Sequence, residues 1–103
     1  MKILFRKPIN KPLQAMEIED GLKPLQKLVG GYVKLIPIAD EIVCLCDEEG
    51  GLKDLGNNFF HDTYGWIVGN CIFCSTVNNE FASLTDKQIK YVSKYIGFPV
   101  EAC

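Results

Sequence analysis

Ile42-Val43-Cys44-Leu45-Cys46 is apolar at every position. A strand with one wet face alternates apolar and polar residues, so an unbroken short run of this kind predicts a strand buried on both faces. Glu48-Glu49-Gly50-Gly51, just after it, reads as a turn. Towards the N-terminus, Tyr32–Ile36 predicts a neighbouring strand whose extension is limited by Pro37. Before that strand, Leu22, Leu25, Leu28 and Val29 recur at helical spacing, with Pro24 in the first turn, where its missing N–H is harmless. Gly30-Gly31 ends that helix, glycine taking the left-handed cap conformation without a steric penalty. Residues 2–6 and about 14–18 predict two further strands, a hairpin closed through Pro8-Ile9-Asn10-Lys11-Pro12.

Towards the C-terminus, residues 53–65 follow neither period and predict a long loop or a short irregular helix, and Trp66–Ser75 predicts one extended run with a bulge or a close backbone approach at Gly69. The last helix has the fullest set of signals. Thr85 and Gln88 form a capping box, Leu84 and Ile89 a hydrophobic staple, and Ile89, Val92 and Ile96 an apolar stripe. Gly97 and Pro99 stop it, giving a helix over 86–95. The order ββαββ-loop-β-α predicts an α+β fold, a mostly antiparallel sheet with two helices on one face, in one domain over residues 1–103.

An apolar content of 48% with 23% charged residues is that of a globular chain. No low-complexity tract or repeat is visible. A net charge of −2 argues against general affinity for nucleic acid, which rests on clustered Lys and Arg. The charge is unevenly spread: residues 1–14 hold four basic side chains and no acid, whereas residues 15–56 hold nine acids against four lysines. No apolar stretch approaches the roughly 18 residues of a membrane span, and no secretory signal is present. The expectation is a cytoplasmic protein, in a bacterial cell or an infected host, with no membrane partner.

Cys44, Cys46, Cys71, Cys74 and Cys103 are an odd set without a secretion signal, which predicts reduced thiols. Cys44-Leu45-Cys46 and Cys71-Ile72-Phe73-Cys74 supply the four thiolates of a structural zinc site. The residues between them, however, favour extended packed backbone, and in a strand Cys71 and Cys74 face opposite sides. The cysteines are therefore read as small buried hydrophobes, with no metal and no cofactor.

The segment that exceeds background is Gly56-Asn57-Asn58-Phe59-Phe60-His61-Asp62-Thr63-Tyr64-Gly65-Trp66, which places five rings among two amides, a carboxylate and a hydroxyl. Aromatic faces stack on nucleobases while Asn and Asp read base edges or ribose hydroxyls. The same residues can equally cover the sheet and shape turns. As a site, the expected ligand-binding set is Asn57, Asn58, Asp62, Tyr64 and Trp66 with the turns Gly30-Gly31 and Glu49-Gly50, and Lys34 and Lys53 as the available charges. His61 beside Asp62 is a base without a nucleophile, and Glu48-Glu49 beside glycines is a solvated turn. No catalytic constellation is visible, so the expectation is a non-enzyme.

Four segments together, Leu25-Gln26-Lys27-Leu28-Val29-Gly30-Gly31-Tyr32, Cys46-Asp47-Glu48-Glu49-Gly50, Leu55-Gly56-Asn57-Asn58 and Phe81–Ile89, resemble domain-of-unknown-function family 3846, small proteins of bacteria, phages and mobile elements. The resemblance implies a setting and no mechanism. Where members often carry Leu-Pro-x-Asn-Arg after the acidic turn, this chain has Leu55-Gly56-Asn57-Asn58-Phe59, without the proline or the arginine. Setting and loop together lead to the expectation of a non-catalytic binding protein, a host-defence antagonist that sequesters a nucleotide-like molecule or masks a host protein. The alternative is a structural or protein-interaction module forming a homo-oligomer with no small-molecule site.

Overall fold

The computed structural model describes residues 1–102. In chain order they form β1 (Lys2–Arg6), β2 (Leu13–Glu17), α1 (Leu22–Val29), β3 (Val33–Ala39), β4 (Ile42–Asp47), β5 (Asn57–His61), β6 (Gly65–Val68), β7 (Cys71–Val77), β8 (Glu80–Ala82), α2 (Asp86–Ile96) and β9 (Val100–Ala102). The class is α+β. The main sheet runs β3-β4-β7-β1-β2-β9, with β8 also on β7, and every pairing is antiparallel except β2 with β9.

β4 lies inside this sheet and is buried at every position, as its unbroken apolar run predicts. Its side chains divide by parity, and so do those of its neighbours. Cys44 lies opposite Phe73, which lies opposite Leu4, and all three enter one core with Ile36 and Cys71. Leu45, Ile72 and Phe5 form the matching row on the other side, packed with Leu25 and Val29 of α1. α2 belongs to the first core, through Val92, Ile89 and Ile96. The two helices therefore lie on opposite faces, which corrects the expectation of both on one. A strand apolar on both sides needs cover on both sides, and one-sided helices leave one of them wet. Phe73 is the largest fully buried side chain among the described residues: truncation of such a side chain to Ala costs about 3–5 kcal/mol.

The 53–65 segment also differs from expectation. Residues 48–54 are successive turns, but Asn57–His61 is a strand that pairs with Gly65–Val68 in a separate two-stranded hairpin. Phe59 and Ile67 point from it into the α2-side core, so the hairpin covers that face beside the helix. The extended run expected over Trp66–Ser75 is split after Val68, because Gly69 has φ +79° and turns the chain from β6 into β7. That conformation favours glycine, and a Cβ there would stand 2.7 Å from Leu55 Cδ1, so the Leu55 side chain would also have to shift. β3 runs on through Pro37 to Ala39, which an edge strand tolerates, with a register shift between Pro37 and Ala39. β8 and β9, three residues each, were not anticipated.

α2 is built as its sequence predicts. The Thr85 hydroxyl accepts from the Gln88 backbone N–H at 3.1 Å, and Gln88 Oε1 accepts from the Thr85 N–H at 2.9 Å. Gly97 closes it in the left-handed conformation, its N–H donating to Ser93 O. Among the described residues no helix is long and apolar enough to cross a membrane.

Candidate functional site

Strand parity decides what the aromatic segment presents. Phe59, at 7% exposure, is core, while Phe60 at 57%, Tyr64 at 47% and Trp66 at 57% stand in solvent on the outer surface of the hairpin. Phe60 and Trp66 are cross-strand partners, packed edge to face with ring centroids 5.6 Å apart. Tyr64 lies in the turn, 5.2 Å from the His61 ring, with Lys34 Nζ over its face at 5.2 Å.

His61 holds this turn in place. Its Nε2 lies 2.9 Å from the Pro37 carbonyl of β3, and its Nδ1 accepts from the backbone N–H groups of Thr63 and Tyr64 at 3.1 and 3.3 Å. The bonds specify a ring protonated on Nε2, so both nitrogens are committed to structure.

Between hairpin and sheet runs a cleft of about 160 Å³, with Tyr64 and Trp66 on the hairpin side, Lys34 and Ile36 of β3, Cys46 of β4, and Glu48 of the following turn. Gly50 forms part of its wall, where a Cβ would come within 2.8 Å of Val68 Cγ2. The remaining expected residues do not join it. Gly30 lines a separate depression of about 280 Å³ with Asp47, Lys53, Gly56 and Gly69. Gly31 and Glu49 border a third, shallow hollow beside Tyr32. Asn57 is exposed at the start of β5, opposite Val68. Asp62 is exposed in the hairpin turn, where burial and then its carboxylate raise the pKa of Tyr95 on α2.

Asn58 is not available to a ligand. It is buried, its Nδ2 donates to the carbonyls of Arg6 and Gly69, both at 2.9 Å, and its Oδ1 accepts from Arg6 Nη1 at 3.2 Å. Arg6, counted among the N-terminal basic residues in the sequence, is itself buried. Its Nε donates to Lys11 O at 2.7 Å, its Nη1 to Asn58 O at 2.6 Å, and its guanidinium lies 4.3 Å from the Phe98 ring centroid. Carbonyls and an aromatic face together replace the carboxylate that a buried arginine ordinarily needs. Sequence reading missed this lock because its partners are 52 residues apart.

The two glycine turns have a structural explanation. Asp47 receives Lys53 Nζ at 2.7 Å and the Glu49 N–H at 2.9 Å, and Lys53 also donates to Gly30 O at 3.2 Å. A Cβ at Gly31 would meet Lys53 Nζ at 2.9 Å and the Asp47 carboxylate at 3.0 Å. The ion pair thus ties the end of α1 to the turn after β4. The Lys53 hydrogen bond, and less strongly that of the Glu49 N–H, hold the Asp47 carboxyl below its ordinary range.

Cys44, Cys46, Cys71 and Cys74 are free and buried, and Cys103 lies outside the described residues. Cys71 packs in the α2-side core and Cys74 in the α1-side core, as strand parity predicts, so the four thiols do not converge on one point. Burial pushes the Cys46 thiol up to about 11 and Cys74 to about 12, and Cys44 well above its ordinary value. At these three positions burial favours the neutral thiol over the nucleophilic thiolate.

A family model described as a domain of unknown function (DUF3846) matches residues 1–97. No curated protein and no solved structure matches the chain.

Proposed function

The chain belongs to the DUF3846 family, and we propose that it is a small non-catalytic binding protein whose recognition surface is the outer face of the β5-β6 hairpin with the cleft beneath it. The observation that carries this reading is the exposure of Tyr64 and Trp66 beside a cleft whose lining mixes apolar side chains, Ile36 and Ile67, with the charged Lys34 and Glu48. Aromatic rings that a fold has already ordered but left in water lose little on binding a flat partner.

Size limits what can enter. About 160 Å³ is well short of the ~300 Å³ at which pockets begin to enclose whole small molecules. The cleft suits one ring, with the rest of the ligand lying across the hairpin. Lys34 offers an ammonium group for an anionic substituent and Glu48 an acceptor for hydroxyl or amino groups, a combination that fits a nucleotide-like ligand. The commitment of both His61 nitrogens to backbone groups, Nε2 to β3 and Nδ1 to the hairpin turn, supports a binding role over a catalytic one. In the phage or mobile-element setting implied by the family resemblance, such a protein would act by sequestering its ligand.

Trp66 is the sole tryptophan, so intrinsic fluorescence reports on the site directly. Titration with purine and pyrimidine mononucleotides is expected to quench it saturably, and Lys34→Met to weaken binding with no loss of fold. A second reading, masking of a host protein, is favoured by the small volume of the cleft. If no nucleotide alters the fluorescence while Trp66→Ala abolishes capture of a host protein, that reading replaces the first.

A further inference from the structure

The inward stripe of α2, Ile89, Val92 and Ile96, leaves an opposite face that the cleft does not use and that meets the hairpin at Tyr95, whose ring stands edge-on to Phe59 with centroids 6.1 Å apart. Lys87, Lys90, Tyr91, Lys94 and Tyr95 are all exposed there. Their spacing of i, i+3, i+4, i+7 and i+8 gathers them into one stripe along the helix. Tyr91 and Tyr95, at 46% and 39% exposure, stack on each other with centroids 6.4 Å apart and planes 15° from parallel.

The charge of this segment departs from that of the chain. From Lys87 to Val100 there is no aspartate or glutamate, whereas residues 15–56 carry nine acids. Among the described residues the only ion pair on α2 belongs to its first residue, Asp86 with Lys2 at 3.9 Å, and Lys87, Lys90 and Lys94 have none. The net charge of −2 averages over this segregation.

We propose that the outer face of α2 binds single-stranded nucleic acid. Lysines recurring every three or four residues present an ammonium group about every 4.5–6 Å along the axis, a repeat that can follow the phosphates of an extended strand. The stacked tyrosines, Tyr91 between Lys90 and Lys94 and Tyr95 just beyond, offer ring faces to unstacked bases, which a duplex keeps hidden. The three lysines disfavour a protein partner, because lysine is depleted in the cores of protein interfaces. The tract ends at the hairpin, where Tyr95 packs against Phe59. The assignment stands on α2 alone and is independent of the cleft.

The test uses the full chain and a fluorescein-labelled oligothymidylate of about twelve nucleotides, a length within the range that single-strand-binding domains occupy. Anisotropy is expected to rise saturably at ~50 mM salt, and the logarithm of the binding constant to fall with that of salt at a slope near −2, about 0.7 for each of three lysines. Lys90→Ala with Lys94→Ala should cut the slope to about −0.7. Tyr91→Leu, which keeps the helix and the charge, should weaken binding roughly tenfold. Circular dichroism establishes that each variant is folded. The proposal is overturned by no anisotropy change at low salt, by binding indifferent to both sets of substitutions, by equal affinity for a duplex of the same length, or by a preference for anionic phosphatidylserine vesicles over the oligonucleotide.

Discussion

At Asn58 a side chain expected from the sequence to contact a ligand is committed to the interior. Its amide bridges the carbonyls of Arg6 and Gly69, and its carbonyl takes an Arg6 proton, so β5 is fastened to the end of β1 and to the turn before β7. Asn58→Ala strands two buried carbonyls and loosens the guanidinium, and we expect it to lower stability by about 2–3 kcal/mol, measured by urea unfolding. A loss below ~0.5 kcal/mol would mean that water replaces the amide without cost. Asp47 gives a second prediction at this scale. Its folded-state pKa is depressed by Lys53, so its contribution is fully present above the ordinary carboxylate value of about 3.9 and is lost as pH falls through the lowered one. The urea midpoint of the native protein should therefore fall over that acid range, and Asp47→Asn should fall less steeply. Parallel profiles would show that the pair does not contribute.

Elements differ in how far the sequence disclosed them. α2 was legible because a capping box, a staple and a 3.6-residue stripe are local signals that all point to one structure, and Thr85 and Gln88 meet as their spacing requires. Thr85→Ala should cost about 1 kcal/mol, read from thermal or urea unfolding, and Thr85→Asp, which keeps an acceptor at the cap, should restore most of it. The β5-β6 hairpin was hidden because Asn57, Asn58 and His61 are poor strand formers. Phe59 and Ile67 hold it extended by burying themselves against the sheet, a tertiary cause with no local signature. That hidden pairing also settled the role of each ring: with Phe59 inward, Phe60 is outward, and its cross-strand partner Trp66 goes with it. The aromatic segment could be suspected from its composition, whereas the cleft depends on β3 and β4 passing beneath it and could not.

For the molecule as a whole, the placement of the helices followed from a pattern already present in β4, which is apolar on both sides and so requires two covered faces. What remains open in such a sheet is its ends, and β3 is one of them. An edge strand with free N–H and C=O groups invites pairing with a second copy, the route by which a homo-oligomer would form. Here Pro37 has no N–H to offer, the ladder shifts register beside it, and its carbonyl is taken by His61 from the overlying hairpin. Lys34 adds a charge on the same exposed strand. Each of these is a recognised means of blunting an edge, and they fall within a few residues of one another. The protein should therefore sediment as an 11.6 kDa monomer across the micromolar range. Pro37→Val with Lys34→Val restores a donor and removes the charge, and this double variant should self-associate in a concentration-dependent way while keeping a native circular dichroism spectrum. A native dimer that dissociates in the same variant would place β3 in an interface and reverse the assignment.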